Sequence, residues 1–330
     1  MRRIPVGRPS KAVPVVPVAE FVRILPSYFL TPEFLRILLR GRPWKTVVLH
    51  AILLLGASAA WPAPCHATDF FVDNLRGSDA YDGRSALPAS DTNGPTKTVT
   101  RAMQLAGMGD RIIIANTGVP YYEGISLVGG RHSGYPALPF AIIGNGAVLD
   151  GSRPAGPKMW RRVGPDLWKL VPWRKGHFQL IENDKPVPEL RLPGRPESLP
   201  TIPVGRWLAW KGAIYYQAAK NDDPPLRNFR YAFHSVGVTL YEVHDVYVAD
   251  LTLKHFRLDG LNAHDRCRGV TIENIQTTGN GRAGVAVGGT SAVVVRKCEI
   301  GGNRTDSVLI TEHGAVKIEE SKLDKPPAGK

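Results

Sequence analysis

The chain has 330 residues, 43% of them apolar, which is enough to bury a core and excludes a disordered polyelectrolyte. Its 34 glycines and 28 prolines are too many for a helical protein and predict many tight turns. No run of 18 uninterrupted apolar residues occurs, which excludes a polytopic helical membrane protein. The formal net charge is +13, but residues 1–67 hold nine Lys/Arg against Glu20 and Glu33, a net of +7. The remaining chain carries only +6, so no nucleic-acid partner is expected.

Residues 1–67 read as a leader. Arg40, Arg42 and Lys45 flank the apolar stretch from Val47 to Ala60, whose length suits a secretory h-region and is short for a membrane span. Ala67 follows Cys65 and His66 with the small-residue spacing of a cleavage site, so cleavage is expected after Ala67. This predicts a secreted, periplasmic or cell-surface protein, with membrane contact only through an uncleaved leader. The first 40 residues are long for an n-region and suggest a misassigned translation start, with a genuine basic extension as the alternative.

The next segment, 68–152, begins with Asp69-Phe-Phe-Val-Asp73 and a turn-rich stretch to Pro95. Thr96 to Leu105 has helical spacing, with Val99, Ala102 and Met103 on one face. Ile112–Ala115, Gly124–Val128, Phe140–Ile143 and Ala147–Leu149 read as strands with no helix-length connection between them.

Segment 153–235 differs in composition. It holds Trp160, Trp168, Trp173, Trp207 and Trp210, and a local excess of basic residues. Phe178–Ile181 and Ala213–Tyr216 are strand-like, so a β-rich lobe is expected here.

Segment 236–330 repeats. Four stretches begin at Val246, Val270, Val293 and Val316, at spacings of 24, 23 and 23 residues. Their third positions are Val248, Ile272, Val295 and Ile318; their sixth are Leu251, Ile275, Cys298 and Ser321. A second set, Gly260–Ala263, Gly284–Val287 and Ser307–Ile310, keeps the same register. This period accommodates about three short strands and about three turns per coil, with coils stacked at about 4.8 Å. Asp250 and Asn274 share a corner where a short polar side chain tolerates left-handed backbone. Leucine-rich repeats have similar periods, but their Leu/Asn spacing is absent. The fold expected from the repeat is all-β: a single-stranded parallel β-helix of about five or six coils, with a short N-terminal helix and an inserted lobe. In this register Cys298 is a core residue and Cys267 lies at a turn over Thr290, so two free thiols are expected.

These features resemble the pectate lyase-like superfamily of right-handed parallel β-helix proteins. The opening motifs, Phe70–Asp73, Gly77–Asp79, Asp82-Gly83, Gly109–Ile113 and Tyr122–Ile125, are similar to the cap and first coil of exported bacterial members. The stretches Glu189–Pro193, Pro203–Trp210 and Ala213–Tyr216 are similar to a β insertion in some β-helix glycoside hydrolases. The resemblance implies a right hand for the β-helix and a capping role for its N-terminal helix. It implies the fold strongly and activity weakly, because such scaffolds host lyases, hydrolases and non-catalytic surface proteins.

The chemistry-bearing residues cluster at the repeat turns. Asp259, His264, Asp265, Arg266 and Arg268 flank the strand Gly260–Ala263, and Glu312 and His313 occupy the matching turn two coils on. Asp265 and Glu312 share a register, with backbones roughly 9.6 Å apart over two coils. That is near the upper end of the separation of about 6.5–9.5 Å in inverting glycosidases. Gly288 and Gly289 lie between them and leave space for a sugar. Asp265, Glu312, His264 and His313 are the catalytic candidates; Asp259, Arg266, Arg268, Arg282, Trp207 and Trp210 are the substrate-binding candidates. A competing reading makes all of them solvated turn residues, with the tryptophans as lobe core.

The expected function is carbohydrate-directed: binding, and hydrolysis if the carboxyl pair is competent, of a polysaccharide or cell-envelope glycan. The alternatives are a non-catalytic envelope or adhesion scaffold, and a polysaccharide lyase. The lyase relatives imply Arg266, Arg268 or Arg282 as the base of β-elimination on a uronic acid, which requires an acidic Ca²⁺ site not evident beside them. No cofactor or metal is expected; Asp73, Asp79 and Asp82 are weak Ca²⁺ candidates whose spacing fits turn hydrogen bonding better. After Leu323 no amphipathic helix covers the last coil, so a groove needing further coils would be incomplete.

Overall fold

The structure is a computed structural model that describes residues 67–329, Arg195 excepted. The expected signal sequence, its basic flank and Cys65 lie outside the described residues.

Successive coils each add a parallel strand to two stacked columns. One sheet runs through Asp69–Val72, Arg111–Ile114, Phe140–Asp150, His244–Lys254, Arg268–Glu273, Ala292–Arg296 and Ala315–Glu319. The second runs through Ile125–Val128, Val238–Tyr241, Leu261–His264, Ala283–Val287, Asp306–Ile310 and Ala328–Gly329. The register matches the repeat. Val246 lies over Val270, Val270 over Val293 and Val293 over Val316. Leu261, Val285 and Val308 form the second interior column. Alternate residues point inward, so these columns fuse into one apolar core that also holds Val248, Ile272, Val295 and Cys298.

The corner between the first sheet and its short continuation is a stack of left-handed residues. Asn145, Asp250, Asn274, Lys297 and Glu320 all have φ between 48° and 58°. Asn274 Nδ2 donates to Asp250 Oδ1 at 2.6 Å, so the short polar residues link adjacent coils. The corner also explains a difference from expectation: Phe140–Ile143 and Ala147–Leu149 are one strand, Phe140–Asp150, bent at Asn145.

The cap helix α1 (Val99–Leu105) buries Val99, Ala102 and Met103 against the first coil. Thr98 caps it, and the Glu123 carboxylate accepts from the amides of Val99 and Thr100 at 2.9 Å. These oxygens satisfy donors that the first turn leaves free.

The lobe enters and leaves between two paired strands of the first sheet, Phe140–Asp150 and His244–Lys254. It contains two antiparallel four-stranded sheets. One orders Trp207–Trp210, Ala213–Gln217, Leu167–Leu170 and Trp160–Gly164; the other orders Ser152–Pro154, Phe229–Ala232, Leu180–Glu182 and Lys185–Pro186. Its core is aromatic: Trp160, Trp207, Tyr216, Phe229 and Tyr231 pack with Leu170, Leu180 and Ile214. Trp160 and Phe229 lie 5.3 Å apart and Tyr216 and Phe229 5.2 Å, within the range of favourable ring pairs.

Both described cysteines are free and buried. Cys298 takes the expected interior position. Cys267 does not sit at a turn over Thr290. Its amide donates to Ser291 Oγ at 3.2 Å and its side chain is fully buried. The register is 24 residues before this point and 23 after it, and the slip falls at Gly269, whose φ is +61°. Counting back from Val270 therefore misplaces Cys267 by one residue. Burial pushes both thiols up from their ordinary pKa. In a Cys65→Ser chain without reductant, no thiol should react in the native state and two should react after denaturation.

The interior columns set a second expectation. Ile272→Ala, which empties a fully buried position, should lower unfolding stability by about 2–5 kcal/mol. Thr271→Ala, on the outer face of the same strand, should stay within about 0.5 kcal/mol. Chemical denaturation of the two variants measures the difference.

Candidate functional site

The outer face of the second sheet forms a shallow groove of about 340 Å³. Asn262, His264, Asp265, Arg282, Gly288, Gly289, Thr311 and Glu312 are among the residues that line it. The strands supply its floor, where small side chains at Ala286 and Gly288 keep it open.

One end of the groove is acidic. Glu242, Asp265, Gly289 and Glu312 follow one another up the turn that closes each second-sheet strand, and all four have positive φ, between 54° and 70°. The groove thus brings Asp265 and Glu312 together across the intervening coil, as the repeat predicts. Glu312 Oε2 accepts from the Gly289 amide at 2.7 Å. A Cβ at Gly289 would lie 2.4 Å from the Asp265 carbonyl oxygen, so the close coil stacking requires glycine there. His264 Nδ1 is 3.4 Å from Asp265 Oδ2, and its ring packs 5.0 Å from that of Tyr241. His313 is exposed in the turn beyond, its amide bonded to the Gly289 carbonyl, and does not line the groove.

The other end is basic. Arg282 lines the groove and is fixed from behind by Asp259, whose carboxylate is fully buried. Arg282 Nε donates to Asp259 Oδ1 at 2.9 Å and Nη2 to Oδ2 at 2.5 Å. Asn262 Nδ2 and the Ala283 amide complete the Asp259 shell. Asp259 is therefore a positioning residue for Arg282 and not a substrate contact, because its lone pairs are taken inside the protein. The hydrogen bonds that Arg282 donates to Asp259 hold it above its ordinary pKa, and the one that Arg266 donates to Glu242, 2.8 Å away, does the same for Arg266. Neither is suited to act as a deprotonated base. Arg266 lies on the rim beside Glu242. Arg268 opens a strand of the first sheet and is not among the groove residues.

Trp207 and Trp210 are not at this groove. They line two clefts on the lobe: Trp207 one of about 320 Å³ that reaches the helix turns at Asn280, Asn303 and Arg304, and Trp210 one of about 760 Å³ that reaches Arg304. Trp207 is only 3% exposed and its indole donates to the Val187 carbonyl at 2.9 Å, so it is lobe core. Trp210 is half-buried, its indole bonded to the Pro196 carbonyl. The clefts share a carboxylate that the sequence reading did not single out, Glu189. Burial pushes its pKa up, against the opposing pull of Arg304 and Arg191, and Arg304 Nη2 lies 2.7 Å from Oε2. Its packing depends on a lobe–helix contact with no sequence periodicity.

Asp73, Asp79 and Asp82 do not form a ligand set. Asp73 accepts from the amides of Leu75 and Arg76, Asp79 from those of Lys97 and Thr98, and Asp82 from those of Arg84 and Gly94. The acidic and histidine group among the described residues that could hold a cation is Asp150, Asp184 and His255. Its charge is already met by Lys254, whose Nζ lies 2.6 Å from both Asp184 oxygens.

The chain is a right-handed parallel β-helix. Residues 220–325 match the family model described as the right handed beta helix region. No curated protein matches the chain in sequence. Two similar solved structures are the complex of XylC with xylose and a glycoside hydrolase. The first has a TM-score of 0.51 and 11% identity over 77% of this chain and 58% of that one. The second has a TM-score of 0.53 and 11% identity over 74% of this chain and 68% of that one. At such identity the likeness is one of fold, and this chain spans little more than half the length of the XylC chain.

Asp150 generates a pH expectation. Burial raises its pKa, but hydrogen bonds from His255 and Ser152 outweigh this, so it lies below its ordinary 3.8. A lowered native pKa stabilises the fold above the unfolded value and loses that contribution as pH falls through the native value. The stability gap between the unmodified protein and Asp150→Asn should therefore be full at neutral pH and close below about pH 4, as denaturant titrations across pH would show.

Proposed function

We propose that the protein is an exported carbohydrate-directed β-helix protein that holds a polysaccharide along the outer face of the second sheet and hydrolyses it there. The observation that carries this reading is the placement of Asp265 and Glu312 in one groove, two coils apart, with only glycine between them. A rise of roughly 9.6 Å between their backbones suits an inverting pair. One carboxyl protonates the leaving glycosidic oxygen while the other activates a water on the opposite face of the sugar. His264, beside Asp265, and Arg282, held rigid by Asp259, are the groove residues suited to orient hydroxyls. The likeness to carbohydrate-active β-helices supports the choice of ligand class, and the basic–apolar stretch at 40–67 supports export.

A non-catalytic envelope or adhesion scaffold is the second reading. It is favoured by the groove's shallowness and by the absence of Trp, Tyr or Phe from its lining among the described residues. Incubation of the full chain with a polysaccharide panel separates the two. Hydrolysis predicts reducing-sugar release that falls by about 10²–10⁴-fold in Asp265→Asn and in Glu312→Gln, with binding retained. Binding without release supports the scaffold, and products absorbing in the ultraviolet support a lyase.

A further inference from the structure

The basic end of the groove is more than one arginine. Successive coils bring His234, Arg257, Arg282 and Arg304 to the same corner, in adjacent and not identical register positions. The Arg257 amide donates to the His234 carbonyl, the Arg282 amide to Leu258, and the Arg304 amide to Asn280. The three arginines occupy neighbouring positions of successive turns, near enough to one another that all three act on His177. The lobe adds to this group. The loop Trp173-Arg-Lys-Gly-His177 lies against this corner, with Arg257 Nη2 donating to the Gly176 carbonyl at 2.8 Å. Arg153 lies over the Phe233 ring at 3.5 Å, and Arg174 lies 5.2 Å from the same ring. His177 is held below its ordinary pKa by burial and by Arg257, Arg282 and Arg304.

Within this corner the charges are unequally compensated. Arg282 is paired with Asp259 and Arg304 with Glu189. Arg153, Arg174 and Arg257 have no acidic partner among the described residues; they are held by ring faces and backbone carbonyls, which neutralise nothing. Five guanidinium groups in one neighbourhood repel one another unless an anion joins them. Beside them stands Trp173, 83% exposed, a flat apolar face free to stack on a sugar ring.

We propose that this corner is an anion subsite, at which Arg153, Arg174 and Arg257 bind carboxylate or sulfate groups of an acidic polysaccharide lying in the groove. The assignment deepens the reading above and rests on it: the glycan crosses from the arginine corner to the Asp265–Glu312 turn. Arginine suits the role because its fork presents parallel donors to a planar or tetrahedral oxyanion.

The test is affinity electrophoresis of the full chain through gels carrying polygalacturonate, chondroitin sulfate, neutral xylan or polyglutamate. The unmodified protein should be retarded by one or both acidic glycans more than by xylan or polyglutamate, and which of the two is preferred distinguishes carboxylate from sulfate. Arg153→Gln/Arg174→Gln should weaken that retention roughly ten- to hundredfold, the worth of charge-assisted hydrogen bonds. Both side chains are exposed and neither substitution unpairs an acid. Lys158→Gln/Arg161→Gln, which removes the same charge elsewhere, should leave it unchanged. Trp173→Ala should weaken it as well. Equal retention by polyglutamate, or equal loss in the two charge variants, would mean that net charge alone is at work and would overturn the subsite. Retention by xylan that the Arg153/Arg174 variant does not alter would overturn the subsite and leave the carbohydrate reading standing. Retention by none of the glycans would remove both.

Discussion

The structure depends on hydrogen bonds between coils. Each coil is a strip of backbone with unpaired amides and carbonyls on both edges, and it is stable only when another coil lies in register above or below. Register then fixes everything that a side chain can reach. A residue has as its neighbours the residues 23 or 24 positions away, at about 4.8 Å. A chemical property placed at one turn becomes, by repetition, a property of a whole edge. The acidic edge and the apolar interior arise this way, from different positions in the same repeat, whereas the basic corner joins neighbouring repeat positions to residues of the lobe.

The two edges differ in what makes them possible. The acidic turn is a left-handed one, occupied by Glu242, Asp265, Gly289 and Glu312. Non-glycine residues there store of order 1–3 kcal/mol of strain each, and the stacking of neighbouring coils holds them in place. At Gly289 the approach of the Asp265 backbone leaves no space for a Cβ, and that omission opens the groove between the two carboxylates. The basic turn is not strained in this way. Its difficulty is electrostatic, and two acids, the buried Asp259 and the half-buried Glu189, offset part of it.

The lobe shows how an insertion survives in a repeat fold. It leaves and rejoins the helix between strands that still pair residue for residue, Phe140 with Val246 through Asp150 with Lys254, with one local shift at the corner. The register is therefore set by the coils themselves and not by continuity of the chain. The lobe builds its own aromatic core and touches the helix through polar contacts: Gln179 to the Phe256 carbonyl, Arg257 to Gly176, and Arg304 to Glu189. These contacts place Trp173 and Arg174 beside a groove to which the repeat alone would never have assigned them.

The amino-acid sequence by itself determined the periodic part. Val246, Val270, Val293 and Val316 recur because an interior column accepts only apolar side chains, and Asp265 and Glu312 share a register for the same reason of spacing. The cap helix was legible from the face formed by Val99, Ala102 and Met103. Tertiary structure decided what periodicity does not encode. Cys267 entered the core because a one-residue slip falls at Gly269, and a slip shows only in the hydrogen-bond pairing. Asp259 proved to be an internal brace for Arg282 because direction, and not register, governs which way a turn side chain points. Trp207 went to the lobe core and Trp173 to the surface, and Glu189 gained its place between Arg191 and Arg304. Those outcomes depend on how two non-repeating surfaces meet, and contacts between residues some hundred positions apart leave no local pattern in the chain.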